Sequence, residues 1–503
     1  MRLGSLICAL WTLSACSGGG GSYGAQCGNN ADCGDDLQCV ANTCVPHCQR
    51  APECGDGYRC DEEGFCVAAT GEQGDACQSE VDCVAGLSCK IEGTAVNEDG
   101  YLVASCSDEN AGRPAGLPCT ADEDCRNGTC DLGHCVDLCS SPRDCGAGTS
   151  CTDIPRVASE GLLYRGCLQS KGALHWSIPV QGTSDDVMLP VPKIARSLSV
   201  LFTITDPTQK VGATHITAPN GTQILEPSLD YYANVNVRHR LEFGQSVLAL
   251  PVVPDEPGER YKLQTGVYRL TVASKRVAFG DRLLPGTATP SMTAVIKVDD
   301  GATLDLHFYF LNFDEHPCAQ AFGGKLDAQT AQTAGFFQDE FLTNGLKPIL
   351  NAGGIAVGTQ TYTDLRNHPD LDALDVTNLT SLLALGEHSV GINVFFVRTL
   401  SPVGLQAAGP NPGPAGLGNT KLSGIVIGLD TLCYRTWGQL ARLTAHEIAR
   451  YMGLYNNVDI DRHVDPIPDT DGSPNNLMFY SELGGTFLSE GQKQILRRSA
   501  VLR

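Results

Sequence analysis

The stretch Thr444-Ala445-His446-Glu447-Ile448-Ala449-Arg450-Tyr451-Met452-Gly453-Leu454-Tyr455-Asn456 carries the chemical signature of this chain. Upstream of it, Trp437, Leu440 and Leu443 recur at helical spacing, which predicts a helix from about Thr436 to Met452 with those side chains on its apolar face. Glu447 and Arg450 stand three residues apart on that helix, close enough for their side chains to pair. Neither a G-x-S-x-G elbow nor a phosphate-binding P-loop occurs anywhere, so serine-hydrolase and nucleotide readings have no footing.

Working outward, residues 303-503 alternate helical and strand patterns. The segments TLDLHFYFLNF, GIAVGTQTYTDL, INVFFVRTL and LSGIVIGLD read as strands, and AQTAGFFQDEFLTNGLKPIL has helical apolar spacing. The loop GPNPGPAGLG between the last two strands is expected to lie exposed. Residues 168-302 lack cysteine and carry short period-2 runs such as SLSVLFTITD, QSVLALPVV, GVYRLTVAS and MTAVIKVDD, which predict an antiparallel β-sandwich. No cluster of titratable residues there suggests chemistry.

Of 24 cysteines, twenty fall between Cys27 and Cys167 as five units of four, each opening C-x5-C, with an acidic residue before every second cysteine (Asp32, Glu53, Asp82, Asp124, Asp144). An even count in a repeating segment implies disulfides, although connectivity stays open, and zinc is the competing reading for dense cysteines. The spacing, mostly five or more, argues against zinc knuckles, which use C-x2-C to C-x4-C pairs. The pattern resembles the cysteine-rich repeats of the Dickkopf N-terminal type, modules that usually serve as stalks or binding surfaces. Cys318 and Cys433 are the two cysteines left in the downstream region and are expected to pair.

The N-terminus, MRLGSLICALWTLSAC, has one basic residue, an apolar run and small residues, the build of a secretory signal too short to span a bilayer stably. Leu13-Ser14-Ala15-Cys16 resembles the bacterial lipobox. That resemblance implies cleavage after a signal peptide of residues 1-15, acylation of Cys16 and a Gly/Ser tether through residue 26. An exported protein lipid-anchored to the bacterial envelope, at the outer membrane or cell surface, is the expectation. With 42% hydrophobic and 18% charged residues, the chain has the composition of globular protein. A formal charge of −22 without a basic patch excludes nucleic acid as the expected partner.

The helix motif resembles the metzincin zinc-peptidase pattern H-E-x-x-H-x-x-G-x-x-H. His446, Glu447 and Gly453 match it, while Arg450 and Asn456 fall where the second and third histidines belong. The resemblance implies that His446 would be a zinc ligand and Glu447 the catalytic group polarising the metal-bound water, with Gly453 turning the chain so that a third ligand reaches back. Asn476-Leu477-Met478-Phe479-Tyr480 resembles the Met-turn, with Met478 flooring the site and Tyr480 as a second catalytic candidate. Residues 465-470 resemble the loop that follows the zinc helix in secreted relatives.

Arg450 has no lone pair to give and is always charged, and Asn456 offers only an amide oxygen. His463, Asp459 or Asp461 could stand in for the third ligand, but nothing replaces the second.

The expected fold is therefore multi-domain: cysteine-rich repeats at 27-167, a β-sandwich at 168-302 and an α/β metzincin-like domain at 303-503. The leading functional reading is a non-catalytic pseudopeptidase with zinc absent or weakly bound, holding an extracytoplasmic protein or peptide. Two alternatives stay open: an active zinc metalloendopeptidase with an unusual ligand set, and an adhesion or surface-structure lipoprotein acting through its cysteine-rich repeats.

Overall fold

The computed structural model describes residues 24–34, 37–40, 42–225, 244–245, 247–254, 262–311, 318–322, 325–410, 413–414, 420, 422–458, 462, 464–465, 467–481 and 483–503. Cys16, Asp459, Asp461 and His463 lie outside them.

Every cysteine unit closes in the same interlaced way, first to third and second to fourth. The bonds are Cys27–Cys39 and Cys33–Cys44, Cys48–Cys60 and Cys54–Cys66, Cys77–Cys89 and Cys83–Cys106, Cys119–Cys130 and Cys125–Cys135, and Cys139–Cys151 and Cys145–Cys167. Cα separations of 5.4 to 5.9 Å suit unstrained bridges. Each closes a loop short enough that chain entropy credits it with about 3 kcal/mol. With their sulfurs bonded to one another, these cysteines present no thiolate to a metal.

The acidic residue before each second cysteine has a structural cause. Its carboxylate accepts hydrogen bonds from backbone amides just after the first cysteine, closing a 3-10 turn. Asp82 takes Gln78 N at 2.9 Å and Ser79 N at 3.0 Å, Asp144 takes Ser140 N at 2.7 Å and Ser141 N at 2.9 Å, and Asp32, Glu53 and Asp124 do the same in their units. The bonds from Thr120 hold the Asp124 carboxyl below the usual carboxylate range. Between third and fourth cysteines the chain makes a hairpin. This is two to four residues per strand in the first, second and fourth units, but long in the third (Leu87–Val96 with Leu102–Asp108) and fifth (Thr149–Pro155 with Leu163–Gln169).

The array is not a free stalk. Leu102, Val136, Leu138, Ile154 and Tyr164 belong to the same apolar core as Leu189, Phe202, Tyr268 and Ile296 of the sandwich, whereas the first two units keep small cores of their own. Small disulfide modules carry too few apolar side chains to bury one another, and the sandwich supplies the missing surface. Lys193 N donates to Asp153 O at 2.9 Å across that boundary, and Arg50 of the second unit reaches Gly146 O of the fifth at 2.6 Å, so the array folds back on itself.

Two antiparallel sheets follow. One has the order Ala173–Ile178, Ser291–Lys297, Ser197–Thr203, Val247–Pro254. The other has Ser184–Val191, Gly266–Val277, Gln209–Thr217, Gln223–Leu225, with Gly244–Gln245 and Leu283–Pro285 attached. Alternation turns Leu198, Val200 and Phe202 of the first toward Leu189, Tyr268 and Leu270 of the second.

The C-terminal region is built on a five-stranded sheet of order Ala356–Asp364, Thr303–Phe310, Ile392–Val397, Ile425–Gly428, Ala407–Ala408, parallel except for the last strand. Its helices are α1 (Ala328–Thr333), α2 (Lys347–Ala352), α3 (Leu379–Leu383), α4 (Trp437–Tyr451) and α5 (Glu490–Arg497), with a π-helical segment Phe336–Leu346 running into α2. Phe308 and Phe310 of the central strand pack on Phe337 and Phe396, and Phe336 stacks on Trp437 of α4 at 5.1 Å. Cys318 and Cys433 are bonded with a Cα separation of 5.2 Å, closing a span of 115 residues.

The chain end returns to the boundary between sandwich and C-terminal sheet. Lys297, 0% exposed, donates from Nζ to Leu502 O at 2.8 Å and pairs with Asp299 at 3.0 Å; burial pulls its amine below the usual lysine range. Arg503 grips both oxygens of Asp305 at 2.6 and 3.0 Å, Arg498 pairs with Asp300, and Ser197 Oγ donates to Arg498 O at 2.5 Å. Removing a buried charge partner leaves the other group uncompensated, so Lys297→Ala should cost about 3 kcal/mol in urea unfolding. Lys193→Ala, which removes an exposed amine from its pair with the buried Asp153, should cost much less. Equal effects would show that the buried amine is not what joins the two units.

Candidate functional site

Helix α4 begins with a capping box: Thr436 Oγ1 accepts from Gln439 N at 3.3 Å, and Gln439 Oε1 accepts from Thr436 N at 3.0 Å. It ends at Met452, and Gly453 takes φ +110°, a conformation that strains any other residue and that lets the chain leave the helix axis. The expected helix limits and turn therefore coincide with the observed ones.

His446 is buried on the face of α4 that meets the loop 475–487. Its Nδ1 lies 2.8 Å from Leu477 O, and since a carbonyl only accepts, the ring donates from Nδ1 and keeps its lone pair on Nε2. Burial lowers its pKa, which favours the neutral ring. One turn earlier, the buried Arg442 spreads its guanidinium beneath the same loop: Nε to Gly485 O at 3.1 Å, Nη1 to Ser481 O at 3.0 Å, and Nη2 to Leu477 O at 2.6 Å. Arg442 and His446 thus meet at one carbonyl.

Met478 follows, fully buried, with its amide donating to Asn476 Oδ1 at 2.8 Å and its carbonyl accepting from Asn457 N at 3.0 Å. Asn476 pairs with Gln492 of α5 at 2.9 Å, and Asn457 Nδ2 donates to Asp471 O at 2.7 Å and Ser473 O at 3.0 Å. A polar frame of Arg442, Asn457, Asn476 and Gln492 therefore fixes the loop around His446. None of the four was singled out from sequence. Only Arg442 left a usable sign, standing four residues before His446 and so on the same helix face.

Glu447 is 7% exposed and faces Arg450, whose Nη1 is 3.8 Å from Glu447 Oε1 and whose side chain is 32% exposed. Asn456 sits half-buried just past the Gly453 turn. Tyr480, the second catalytic candidate, is 49% exposed with its ring against Phe479 at 4.6 Å. The structure thus brings His446, Met478 and the Leu477 carbonyl together and puts Glu447 beside Arg450.

A zinc ion held by protein needs about three imidazole, thiolate or carboxylate donors. Of the three positions assigned to ligands, His446 alone supplies one; Arg450 brings a fixed positive charge and Asn456 a neutral amide. Among the described residues, the trios of potential donors within reach of one another are all disulfide-bonded cysteines, far in sequence from α4. The residues at the three assigned ligand positions, His446, Arg450 and Asn456, do not by themselves fit zinc.

No family model matches the chain. Over 108 residues, 21% of its length, it is 30% identical to a turripeptide OL55-like protein of Lophiotoma acuta, 97% of which is covered. Over that span the chain belongs to the turripeptide OL55-like family. The relationship does not reach the rest of the chain. Among solved structures, the VP2 subviral particle of infectious bursal disease virus matches with 15% identity and a TM-score of 0.15, over 34% of this chain and 40% of that one. A family two carbohydrate esterase from Cellvibrio japonicus matches with 8% identity and a TM-score of 0.13, over 44% of this chain and 50% of that one. Overlaps this loose carry no argument about fold or activity.

Arg442→Met keeps the apolar stem but deletes the hydrogen bonds to four loop carbonyls, those of Leu477, Phe479, Ser481 and Gly485. It should cost about 3 kcal/mol and speed amide exchange across 477–487 while leaving the sandwich protected. Unchanged exchange in that loop would remove Arg442 from the frame.

Proposed function

We propose that this chain is an exported surface protein, lipid-anchored through Cys16, whose C-terminal region is a metzincin-like pseudopeptidase that holds an extracytoplasmic protein or peptide without cutting it. The observation that carries this reading is the Glu447–Arg450 pair. The glutamate that would polarise a zinc-bound water instead faces a guanidinium at 3.8 Å, from the position where a second imidazole would stand. With Arg450 a third exposed, the pair is worth about 1 kcal/mol or less, so its effect is to neutralise a buried carboxylate rather than to stabilise the fold strongly.

Other features support metzincin descent. His446 is oriented by a backbone carbonyl, as metal-binding histidines commonly are. Gly453 turns the chain and Met478 is buried, as the resemblance implies. Ten disulfides in the array support export to an oxidising compartment.

The wild-type protein should purify with well under one zinc per chain by elemental analysis, and Arg450→His/Asn456→His should take up about one. Stoichiometric zinc in the wild type, lost to chelator together with peptidase activity, would replace this reading with that of an active enzyme. Failure of the double variant to gain zinc would count against the metzincin alignment.

The anchor is tested separately. Wild-type protein expressed in a bacterium should partition into detergent, and Cys16→Ser should be released or left unprocessed. A wild type that stays in the aqueous phase would sink the anchor. The cysteine-rich adhesion alternative cannot be examined by deleting the whole array, because removing residues from Cys77 onward would strip the sandwich of part of its core.

A further inference from the structure

Every bridge of the cysteine array has at least one buried cysteine. In five of them both partners are buried, and in the other five Cys27, Cys48, Cys119, Cys139 or Cys145 closes off a partner that is partly open. Cys318–Cys433 differs. Cys433 is exposed and Cys318 is only half-buried, so neither end of this bond is enclosed.

The bonds also differ in what rests on them. The cores of the first, second and fourth units are made largely of their own cysteines, so breaking those bridges takes the core apart. The C-terminal region has a large apolar core of its own, with Phe308, Phe337, Phe341, Phe396 and Trp437, and neither Cys318 nor Cys433 belongs to it. Their bond joins the turns Ala319–Phe322 and Leu429–Cys433 over a body that is already packed.

We propose that Cys318–Cys433 is a site of reversible thiol–disulfide exchange, opened by a dithiol reductant while the array stays closed. A reductant thiolate attacks Cys433 Sγ at the exposed end, the S–S bond breaks, and Cys318 leaves as a thiolate that takes a proton from water. The reductant's second thiol gives up its proton and attacks the reductant sulfur of the mixed disulfide. Cys433 is released as a thiol, the reductant departs as a disulfide, and two electrons have passed to the protein. Access sets the order of attack: the exposed bridge is reached in the folded state, whereas an enclosed one waits for its unit to open. Because the aromatic core does not depend on the bond, the two thiols stay near one another and the bridge re-forms under an oxidant. The capping box of Thr436 and the stacking of Phe336 on Trp437 hold the start of α4 without it. Exchange therefore loosens the two turns and leaves the loop around His446 in place.

The test titrates the folded full chain with dithiothreitol, traps free thiols with iodoacetamide and reads each cysteine by peptide mass spectrometry. Cys318 and Cys433 should be trapped together at roughly tenfold lower dithiothreitol than any array cysteine, and the gap should close in urea, where all bridges are open to attack. Transfer to oxidised glutathione should restore the bond. Amide exchange after mild reduction should quicken at 319–322 and 429–434 but not at 477–487, and Cys318→Ser/Cys433→Ser should show the same pattern without reductant. Array bridges that open at the same or lower dithiothreitol would overturn the proposal. So would a bond that does not re-form, or a C-terminal region that unfolds on reduction of the wild type, since either outcome would make the bridge a plain structural staple.

Discussion

A buried amine sits at the centre of the junction between the two larger parts of this molecule. Lys297 ends the last sandwich strand, carries its charge into a site closed to water, and can stay there because Asp299 and the carbonyl of Leu502 receive it. The second partner comes from the far end of the chain. Thr303–Phe310, the strand that starts the C-terminal sheet, therefore begins where the chain's last residues are already fixed. The Arg503–Asp305 fork and the reciprocal backbone bonds between Thr303 and Arg503 extend the same junction. The central strand carries the aromatic cluster on which α4 packs, so the placing of His446 depends at one remove on that lysine.

The cysteine-rich region was the most legible part of the sequence, because disulfide modules repeat a covalent spacing that tertiary context does not blur. Even the acid before each second cysteine was visible, although its reason was not; it closes a turn by hydrogen bonds no pattern spells out. Connectivity stayed hidden, since first-to-third and first-to-fourth pairings fit the same spacing. The continuity of the third to fifth units with the sandwich was hidden as well. It depends on Leu138, Ile154 and Tyr164, isolated apolar residues that have no periodicity and gain meaning only when a sheet face lies opposite. The sandwich strands and the strands of the C-terminal sheet followed from alternation and from continuous apolar runs. The π-helical stretch Phe336–Leu346 passed as ordinary helix because its apolar residues still recur at nearly helical intervals.

Around α4 apolar spacing placed the helix, and the motif resemblance pointed to the turn at Gly453 and to Met478. Neither disclosed what holds them. Arg442, Asn457, Asn476 and Gln492 act through backbone carbonyls and amides of distant loops, and polar residues in such roles look like surface residues until the loops arrive. The same frame explains how the region can keep its shape without an ion: the hydrogen bonds that orient His446 and bury Met478 all run between protein groups, so none of them waits on a ligand.

The interlaced pairing of the cysteine units leaves one place where length is free. The segment from first to second cysteine is pinned by the carboxylate turn, and that from second to third by both bridges, but the hairpin between third and fourth cysteines hangs from the frame like a finger from a knuckle. It is a few residues long in three units and reaches well over ten in the third and fifth. The fold thus keeps the bridged frame constant and varies the hairpin, and in the third and fifth units the added length carries Leu102, Ile154 and Tyr164 into the core of the sandwich, so those two fingers grip rather than display.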